Sequence, residues 1–182
     1  MPWDRAKPLP SLRDWLRAKE PGAGRSAVVV GCGLGVDAEF IAAHGFRTTA
    51  FDISRTAIRT ARERYPGSPV DYRIADMLCL PREWRQAFDL VVEIINIQAL
   101  PVSLRHQAIA AVADLVAEGG TLLAIENIRQ DGDSLPSRPP WPFSRAEIES
   151  FASHGLHTVS IERPGDPARP PRWRAEFIRT VS

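Results

Sequence analysis

Cysteine is scarce in this sequence, which holds only Cys32 and Cys79 among its 182 residues. Two cysteines at this spacing supply neither a disulfide framework nor paired metal ligands, so we expect no bound metal and a reducing, cytoplasmic compartment. Long apolar runs are also missing: no segment approaches the ~20 residues that cross a bilayer, and no N-terminal stretch has the composition of a signal peptide. These absences argue against a disulfide scaffold and against a membrane-spanning protein.

An excess of charge of either sign is missing as well. The 23 basic side chains nearly balance the 22 acidic ones, which gives a formal net charge of +1. The arginines are scattered among acids and form no continuous basic stripe. Such a sequence gives no electrostatic reason to bind nucleic acid or an acidic membrane, so we expect a small-molecule partner instead. Nothing in the sequence indicates the oligomeric state.

A glycine loop is the most informative segment. The short apolar run Ala27–Val30 is typical of a covered parallel strand. Apolar residues then recur at helical spacing over residues 36–44. Glycines between the predicted strand and the predicted helix allow a sharp turn and let a ligand approach the backbone. The ligand would then lie next to the free N–H groups at the N-terminus of the helix. The loop contains Gly31, Cys32, Gly33 and Gly35.

This arrangement predicts a nucleoside-cofactor site and leaves two cofactors open. Dinucleotide-binding loops have the spacing G-x-G-x-x-G, but Val36 stands where their third glycine belongs. The spacing found, G-x-G-x-G, favours the methionine tail of S-adenosylmethionine lying across the turn. Asp52, with Ile53 after it, ends the predicted second strand and can accept hydrogen bonds from both ribose hydroxyls. Because both cofactors carry a ribose, Asp52 does not decide between them.

Strands and helices alternate along the rest of the chain, which predicts an α/β, doubly wound, Rossmann-like sheet. The sheet should be mostly parallel and should finish in an antiparallel C-terminal hairpin, as in the methyltransferase variant of this architecture. The predicted strands are Ala27–Val30, a strand that ends at Asp52, Val70–Ala75, Phe88–Glu93, Thr121–Glu126, His157–Glu162 and Trp173–Val181.

Two helices carry sequence signals at their ends. Ser103 is predicted to open a helix whose apolar face includes Val116 and which Gly119–Gly120 closes. Ser144 and Glu147 have the spacing of a capping box, in which each residue bonds the backbone of the other at a helix start.

Polar residues follow the third and fourth strands, at the edge where ligands of such sheets bind. Asp76 could accept from an adenine amino group while Met77 packs on the ring, or Asp76 could hold a turn. Glu93 lies nearest the point of methyl transfer and contacts either the reacting groups, the cofactor amine or the neighbouring backbone. Asn96 and Gln98 either hydrogen-bond an acceptor or stabilise their own loop.

The motif Pro2-Trp3-Asp4, followed by Pro8-Leu9-Pro10, resembles the PWD-x-G-x-P-x-P segment of thiopurine methyltransferase-like enzymes. The runs VVEIINIQALP and PPWPFSRAEIESF resemble bacterial members of the same group, so the resemblance covers nearly the whole chain. It implies a class I methyltransferase with S-adenosylmethionine as cofactor. By match, Trp3 closes over the cofactor, Gly31 contacts the methionine moiety, Asp52 binds the ribose, and Asp76 with Met77 binds the adenine.

The sequence also departs from that family pattern. Ile94 replaces an arginine that vertebrate members carry just after the acid of strand four, so their substrate contacts do not transfer. Family members usually have a further helical segment before the motif, and this chain starts almost on it, so we expect a lid that is either short or supplied differently. We expect one domain over residues 1–182, with residues 1–24 as the lid and helix segment and residues 25–182 as the core.

The sulfonium of S-adenosylmethionine is already a strong electrophile. The enzyme therefore chiefly has to align a nucleophile with the methyl group and exclude water. A thiol titrates near ~8.5 and needs little more than positioning, whereas an aliphatic hydroxyl needs a general base. His106 is the histidine nearest the site, but we expect it to face solvent. Trp141 could wall an acceptor pocket or pack on the core. The lack of a convincing base favours a thiol or another soft, ionisable acceptor.

Other functions make different predictions. A nucleic-acid amino-methyltransferase would carry an Asn/Asp-Pro-Pro-aromatic motif where this chain has Ile94-Ile95-Asn96-Ile97-Gln98. A nicotinamide-dependent reductase would bind NAD and not S-adenosylmethionine, and a non-catalytic relative would bind the cofactor without methyl transfer. We expect methyl transfer from S-adenosylmethionine to a small molecule by in-line displacement. The candidate catalytic residues are Glu93, Asn96 and Gln98.

Overall fold

A single seven-stranded sheet organises the computed structural model, which describes residues 5–165 and 170–181. Its strands are β1 Ser26–Val30, β2 Arg47–Asp52, β3 Asp71–Ile74, β4 Phe88–Ile94, β5 Val116–Asn127, β6 His157–Glu162 and β7 Arg172–Ile178. Their order across the sheet is β3-β2-β1-β4-β5-β7-β6. Strands β1 to β5 pair in parallel, and β7 pairs antiparallel with both β5 and β6. The predicted sheet and its terminal hairpin are confirmed.

Helices cover both faces of this sheet, as expected of a doubly wound fold. The longer ones are α1 Pro10–Arg17, α2 Val36–Ala43, α3 Arg55–Arg64, α4 Arg105–Ala113 and α5 Arg145–Glu149. The first three pack their apolar residues on one face, and α4 and α5 pack on the other. Within the described ranges, no helix is both long enough and apolar enough to cross a membrane.

The central strands β1 and β4 are apolar along almost their whole length because both of their faces are covered. Side chains alternate between the two helical layers. Val28 and Val30 pack in the layer of α4, whereas Ala27 and Val29 pack in the layer of α1. This pairing places the carboxyl ends of β1 and β4 side by side.

The predicted helix closing at Gly119–Gly120 is wrong in its second half. Helix α4 ends at Ala113, and β5 already begins at Val116. Gly119 adopts φ +73°, and a Cβ on Gly120 would lie 2.9 Å from the Phe88 carbonyl oxygen. The glycines therefore permit an irregular, close-packed start of β5 beside β4 instead of capping a helix.

The capping box predicted for α5 is confirmed. The Ser144 Oγ accepts from the Glu147 N–H at 3.3 Å, and Glu147 Oε2 accepts from the Ser144 N–H at 2.7 Å. Each bond satisfies a backbone donor that the helix start would otherwise leave free.

Replacing Ser144 by Ala should lower the free energy of unfolding by about 1 kcal/mol, because the Glu147 N–H loses its acceptor. Urea unfolding followed by circular dichroism measures the change. The matched control is Ser153→Ala, whose exposed Oγ donates to the Ser150 carbonyl, and its effect should stay within about 0.5 kcal/mol. Wild-type stability in Ser144→Ala would contradict the capping role.

Candidate active site

A cavity of about 610 Å³ opens at the carboxyl ends of β1 and β4. Its walls come from the glycine loop, the loop after β4, the segment before α1, the ends of β5 and β7, and two prolines of the segment after β5. They include Arg5, Leu9, Gly31, Cys32, Gly33, Asp37, Ile94, Ile95, Asn96, Gln98, Asn127, Pro139, Pro140 and Arg172. The structure thus brings the predicted glycine loop and the predicted acceptor residues Asn96 and Gln98 around one space.

The glycines of this loop are required by close contacts and by backbone conformation. Gly31 has φ +56°, and a Cβ there would lie 2.2 Å from Asn96 Oδ1. Gly35 has φ +88°, and a Cβ there would lie 2.3 Å from the Tyr72 hydroxyl oxygen. A larger residue at Gly31 would therefore displace Asn96 from the cavity wall.

Asp52 is held at the rim of the glycine loop. Its Oδ2 accepts from the Gly33 N–H at 2.9 Å, and its Oδ1 accepts from the Ser54 N–H at 2.8 Å. The neighbouring Ile53 exposes 68% of its surface, which leaves an apolar side chain uncovered at the carboxyl edge of the sheet. A carboxylate fixed beside an uncovered apolar group is an arrangement suited to a ribose and a base.

Asp76 and Met77 follow β3 at the same edge. Asp76 is exposed, and its Oδ1 accepts from the Leu78 N–H at 2.9 Å, a bond of the turn-holding kind. Met77 is half-buried against the core. These two residues, together with Gly35, Asp52 and Ile53, lie outside the lining of the cavity.

Cys32 lies in the cavity wall between two glycines. Burial, reinforced by the negative charge of Asp52, raises the pKa of its thiol to about 12. The thiol is therefore neutral at physiological pH and is a poor nucleophile and a poor base.

The segment before α1 is fastened against the cavity by Asp37, in the first turn of α2. The Arg5 guanidinium pairs with this carboxylate, and the Leu9 N–H donates to Asp37 Oδ1 at 2.9 Å. Trp3, predicted to close over the cofactor, lies outside the described residues. Neither Arg5 nor Asp37 was predicted from the sequence: Asp37 has a local explanation as an acid in a first helical turn, and Arg5 pairs with it from 32 residues away.

Asn96 joins the ends of the two central strands. Its Nδ2 donates to the Val30 carbonyl at 2.8 Å and to the Ile94 carbonyl at 2.9 Å. The preceding residue, Ile95, adopts φ +64°, a strained conformation for a β-branched side chain. Both amide hydrogens of Asn96 are thus used within the protein, which leaves its Oδ1 as the polar atom available to a ligand.

Gln98 is fully buried in the same loop. Its side-chain Oε1 accepts from the Asn127 backbone N–H at 2.9 Å, and its backbone carbonyl oxygen accepts from the Trp141 backbone N–H at 2.7 Å. Because a backbone N–H fixes the position of Oε1, the amide orientation is set. Within the described residues, its Nε2 has no hydrogen-bond partner.

The other aromatic and histidine candidates lie away from the cavity lining. Trp141 is half-buried and its Nε1 donates to the Pro136 carbonyl at 2.9 Å, while Phe143 is completely buried in the core. His106 packs on His154 with ring centroids 5.0 Å apart. Neither histidine lines the cavity, and His106 is exposed, as expected.

Two completely buried carboxyl groups lie behind the cavity, Glu93 at the end of β4 and Glu126 at the end of β5. Glu93 Oε1 accepts from the N–H groups of Asn96 at 2.7 Å and Ile97 at 3.1 Å. Burial raises the pKa of Glu126 well above its usual range, and the charge of Glu93 raises it further. Burial and the adjacent charge of Glu93 therefore both favour the protonated form of Glu126.

Glu126 was missed in the sequence because it ends an apolar run. A signal was nevertheless present: the runs FDLVVE and TLLAIE both end in glutamate, and each was predicted to be a neighbouring parallel strand. Parallel strands bring their carboxyl ends to one edge, so the two acids could have been paired from the pattern.

The raised pKa of Glu126 should make the protein less stable as the pH rises. Above the ordinary value of 4.5, the folded protein keeps a proton on Glu126 that the unfolded chain releases. The free energy of unfolding should therefore fall by up to ~1.4 kcal/mol per pH unit until Glu126 ionises in the folded protein. Urea unfolding of wild type and Glu126→Gln between about pH 5 and 8 should show a smaller decline in the variant, and parallel curves would refute this.

Comparison with known proteins places this geometry in a family. A family profile described as "Methyltransferase domain" matches residues 27–120, from β1 into β5. The ubiquinone biosynthesis O-methyltransferase of Ralstonia nicotianae is 32% identical over 127 residues, which are 65% of this chain and 52% of that protein. The chain thus spans about half the length of the curated relatives it matches.

Solved structures share the fold at lower identity. The 1,6-didemethyltoxoflavin-N1-methyltransferase of Burkholderia thailandensis, solved with S-adenosylhomocysteine, superposes with a TM-score of 0.74 at 17% identity, covering 94% of this chain and 79% of that one. A methyltransferase of Methanosarcina mazei gives a TM-score of 0.74 at 16% identity, covering 97% and 100%. The narrower resemblance to thiopurine methyltransferases is not confirmed by these comparisons. Because the profile covers more than half of the sequence, the chain belongs to the class I S-adenosylmethionine-dependent methyltransferases.

Proposed function

We propose that this chain transfers the methyl group of S-adenosylmethionine to a small-molecule acceptor. The observation that carries the proposal is the cavity itself, which the glycine loop and the loop after β4 line together. A cofactor in the glycine loop would lie next to an acceptor held by the neighbouring loop. Methyl transfer by in-line displacement needs that alignment and the exclusion of water more than it needs acid–base groups.

The cofactor would extend along the carboxyl edge of the sheet. The methionine part would lie over the glycine loop, the ribose on Asp52, and the adenine between Ile53 and the Asp76–Met77 turn. Trp3 would close over it. Glu93 would act on this site through its bonds to the loop after β4, because its carboxyl group is completely buried.

The acceptor would ionise without help from a protein base. Among the described residues that line the cavity, the titratable groups are Arg5, Cys32, Asp37 and Arg172. Asp37 already pairs with Arg5, and the Cys32 thiol stays neutral. Acceptors of this kind are thiols, as the sequence suggested, and acidic aromatic hydroxyls. The O-methyltransferase names of the relatives favour an oxygen acceptor.

Three further features belong to this proposal. Residues 1–182 form one methyltransferase domain, and the segment before α1 acts as a lid, which the bonds of Asp37 support. Two free cysteines and a balanced charge support a cytoplasmic protein that does not act on nucleic acid or membranes. The resemblance to thiopurine methyltransferases stays a prediction.

A panel of acceptors tests the reaction. The purified chain is incubated with S-adenosylmethionine and a catechol, an aromatic thiol, an alkyl thiol or an aliphatic alcohol, and S-adenosylhomocysteine formation is measured across pH. We expect turnover of ionisable acceptors that increases as each acceptor ionises, and no turnover of the alcohol. Cofactor binding with no transfer would support the non-catalytic alternative, and binding of NAD alone would refute the proposal.

Asp52→Ala tests the placement of the cofactor. Loss of two hydrogen bonds from ribose hydroxyls to a carboxylate should weaken S-adenosylhomocysteine binding by tenfold or more, or ~1.5 kcal/mol and above, in calorimetric titration. Asp71→Ala is the matched control, because Asp71 is an exposed acid of β3 that pairs with Arg73. Unchanged affinity in a folded Asp52→Ala protein would show that the ribose lies elsewhere.

A further inference from the structure

The two buried acids behind the cavity face the same side of the sheet. Strands β4 and β5 pair Glu93 with Ala124, so Glu126 lies two residues further along β5. Because side chains alternate, Glu126 points to the same face as Ala124, and Glu93 points to the same face as Val91. Val91 and Ala124 both belong to the core layer that packs on α4.

Hydrogen bonding distinguishes the two acids. Burial raises the pKa of Glu93 as well, but its Oε1 accepts from two backbone N–H groups, those of Asn96 and Ile97, which favour the anion and partly offset that rise. Within the described residues, the other oxygen of Glu93 and both oxygens of Glu126 form no full hydrogen bond, although the Gln98 backbone N–H is close enough to Glu126 to lower its pKa slightly. A proton on Glu126 supplies the missing donor, because it can be shared with Glu93.

Arg105 of α4 is the cation that acts on Glu126. Its Nη1 donates to Glu147 Oε1 and its Nη2 donates to the Trp141 carbonyl, each at 2.5 Å. Glu147 in turn pairs with Arg129 at 2.8 Å. Burial is the larger effect and raises the pKa of Glu126, while the Arg105 guanidinium opposes it by favouring the ionised form.

Glu93 holds a loop whose backbone conformation is unfavourable by itself. Ile95 has left-handed backbone, and the two N–H groups that bond Glu93 follow it directly. The same loop places the Asn96 side chain against Gly31 and the Gln98 side chain against the end of β5. Movement of this loop would therefore alter both the cofactor wall and the acceptor wall of the cavity.

We propose that Glu93 and Glu126 share one proton and together position the Ile95–Ala99 loop for cofactor binding, with Glu93 as the anion and Glu126 as its neutral partner. Both are positioning residues, because they act through the loop. The proposal rests on the proposed function in one respect: cofactor binding is the property that reports on the loop.

The proposal predicts that the conservative variants Glu93→Gln and Glu126→Gln differ in cofactor affinity. S-adenosylhomocysteine affinity is measured by calorimetry for wild type, Glu126→Gln, Glu93→Gln and the control Glu118→Gln, an exposed residue of β5. Glutamine has the shape of a neutral glutamic acid and still donates, so Glu126→Gln should stay within about twofold of wild type. Glu93→Gln removes the anion that holds the loop and should weaken binding about tenfold.

The pH profile is the second measurement, and a purely structural role would not produce it. Wild-type affinity should fall at alkaline pH, where Glu126 loses its proton and two adjacent anions repel, whereas Glu126→Gln should stay flat. Equal losses in both glutamine variants, or identical pH profiles for wild type and Glu126→Gln, would overturn the proposal. If Glu93→Gln does not fold, Glu126→Leu takes its place, and it should bind more weakly than Glu126→Gln because it cannot donate.

Amide hydrogen exchange of Asn96 and Ile97 separates this proposal from the function. Exchange should be faster in Glu93→Gln and unchanged in Glu126→Gln, without any ligand. If wild type binds no S-adenosylhomocysteine, the proposed function fails, and this exchange pattern alone would still support the proton-sharing pair. Equal exchange in the two variants would overturn the pair whatever the cofactor result.

Discussion

The parallel pairing of β1 with β4 is the constraint on which the site depends. Both strands are covered on both faces, which keeps water from their backbone groups. Those groups are instead hydrogen-bonded between the two strands and to the neighbouring β2 and β5. The pairing leaves the glycine loop and the loop after β4 at adjacent strand ends. Asn96 then joins them by donating to the carbonyls of Val30 and Ile94. The glycine loop and the loop after β4, which line the cavity together, are consequently parts of one hydrogen-bonded unit.

Much of this arrangement could be predicted from the sequence because its signals are local. The glycine loop, the capping box at Ser144 and the alternation of strands and helices each depend on neighbouring residues. The boundary between α4 and β5 was predicted wrongly for the same reason. Val116 continues a helical apolar spacing, and only its pairing with Phe88 shows that it belongs to the sheet. Glycines that follow a helical pattern can equally mark a close approach of two strands.

The parts that could not be predicted are polar contacts between residues far apart in the chain. Arg5 and Leu9 bond Asp37 across about thirty residues, and Glu126 meets Glu93 only because β5 lies beside β4. In the sequence, Asp37 can be explained as an acid at a helix start, and Glu93 and Glu126 as acids at strand ends, so nothing local indicates a long-range contact. Their roles depend on desolvation and on available donors, which are properties of the packed structure rather than of the sequence.

The two cysteines end up in contrasting surroundings, and this has a practical consequence. Cys32 is a neutral, mostly covered thiol in the glycine loop, whereas Cys79 is an exposed free thiol three residues after Asp76. An alkylating dye under mild conditions would therefore modify Cys79 and spare the loop. A single fluorophore would then stand beside the turn assigned to the adenine. The natural sequence thus carries its own attachment point for an optical report of cofactor binding.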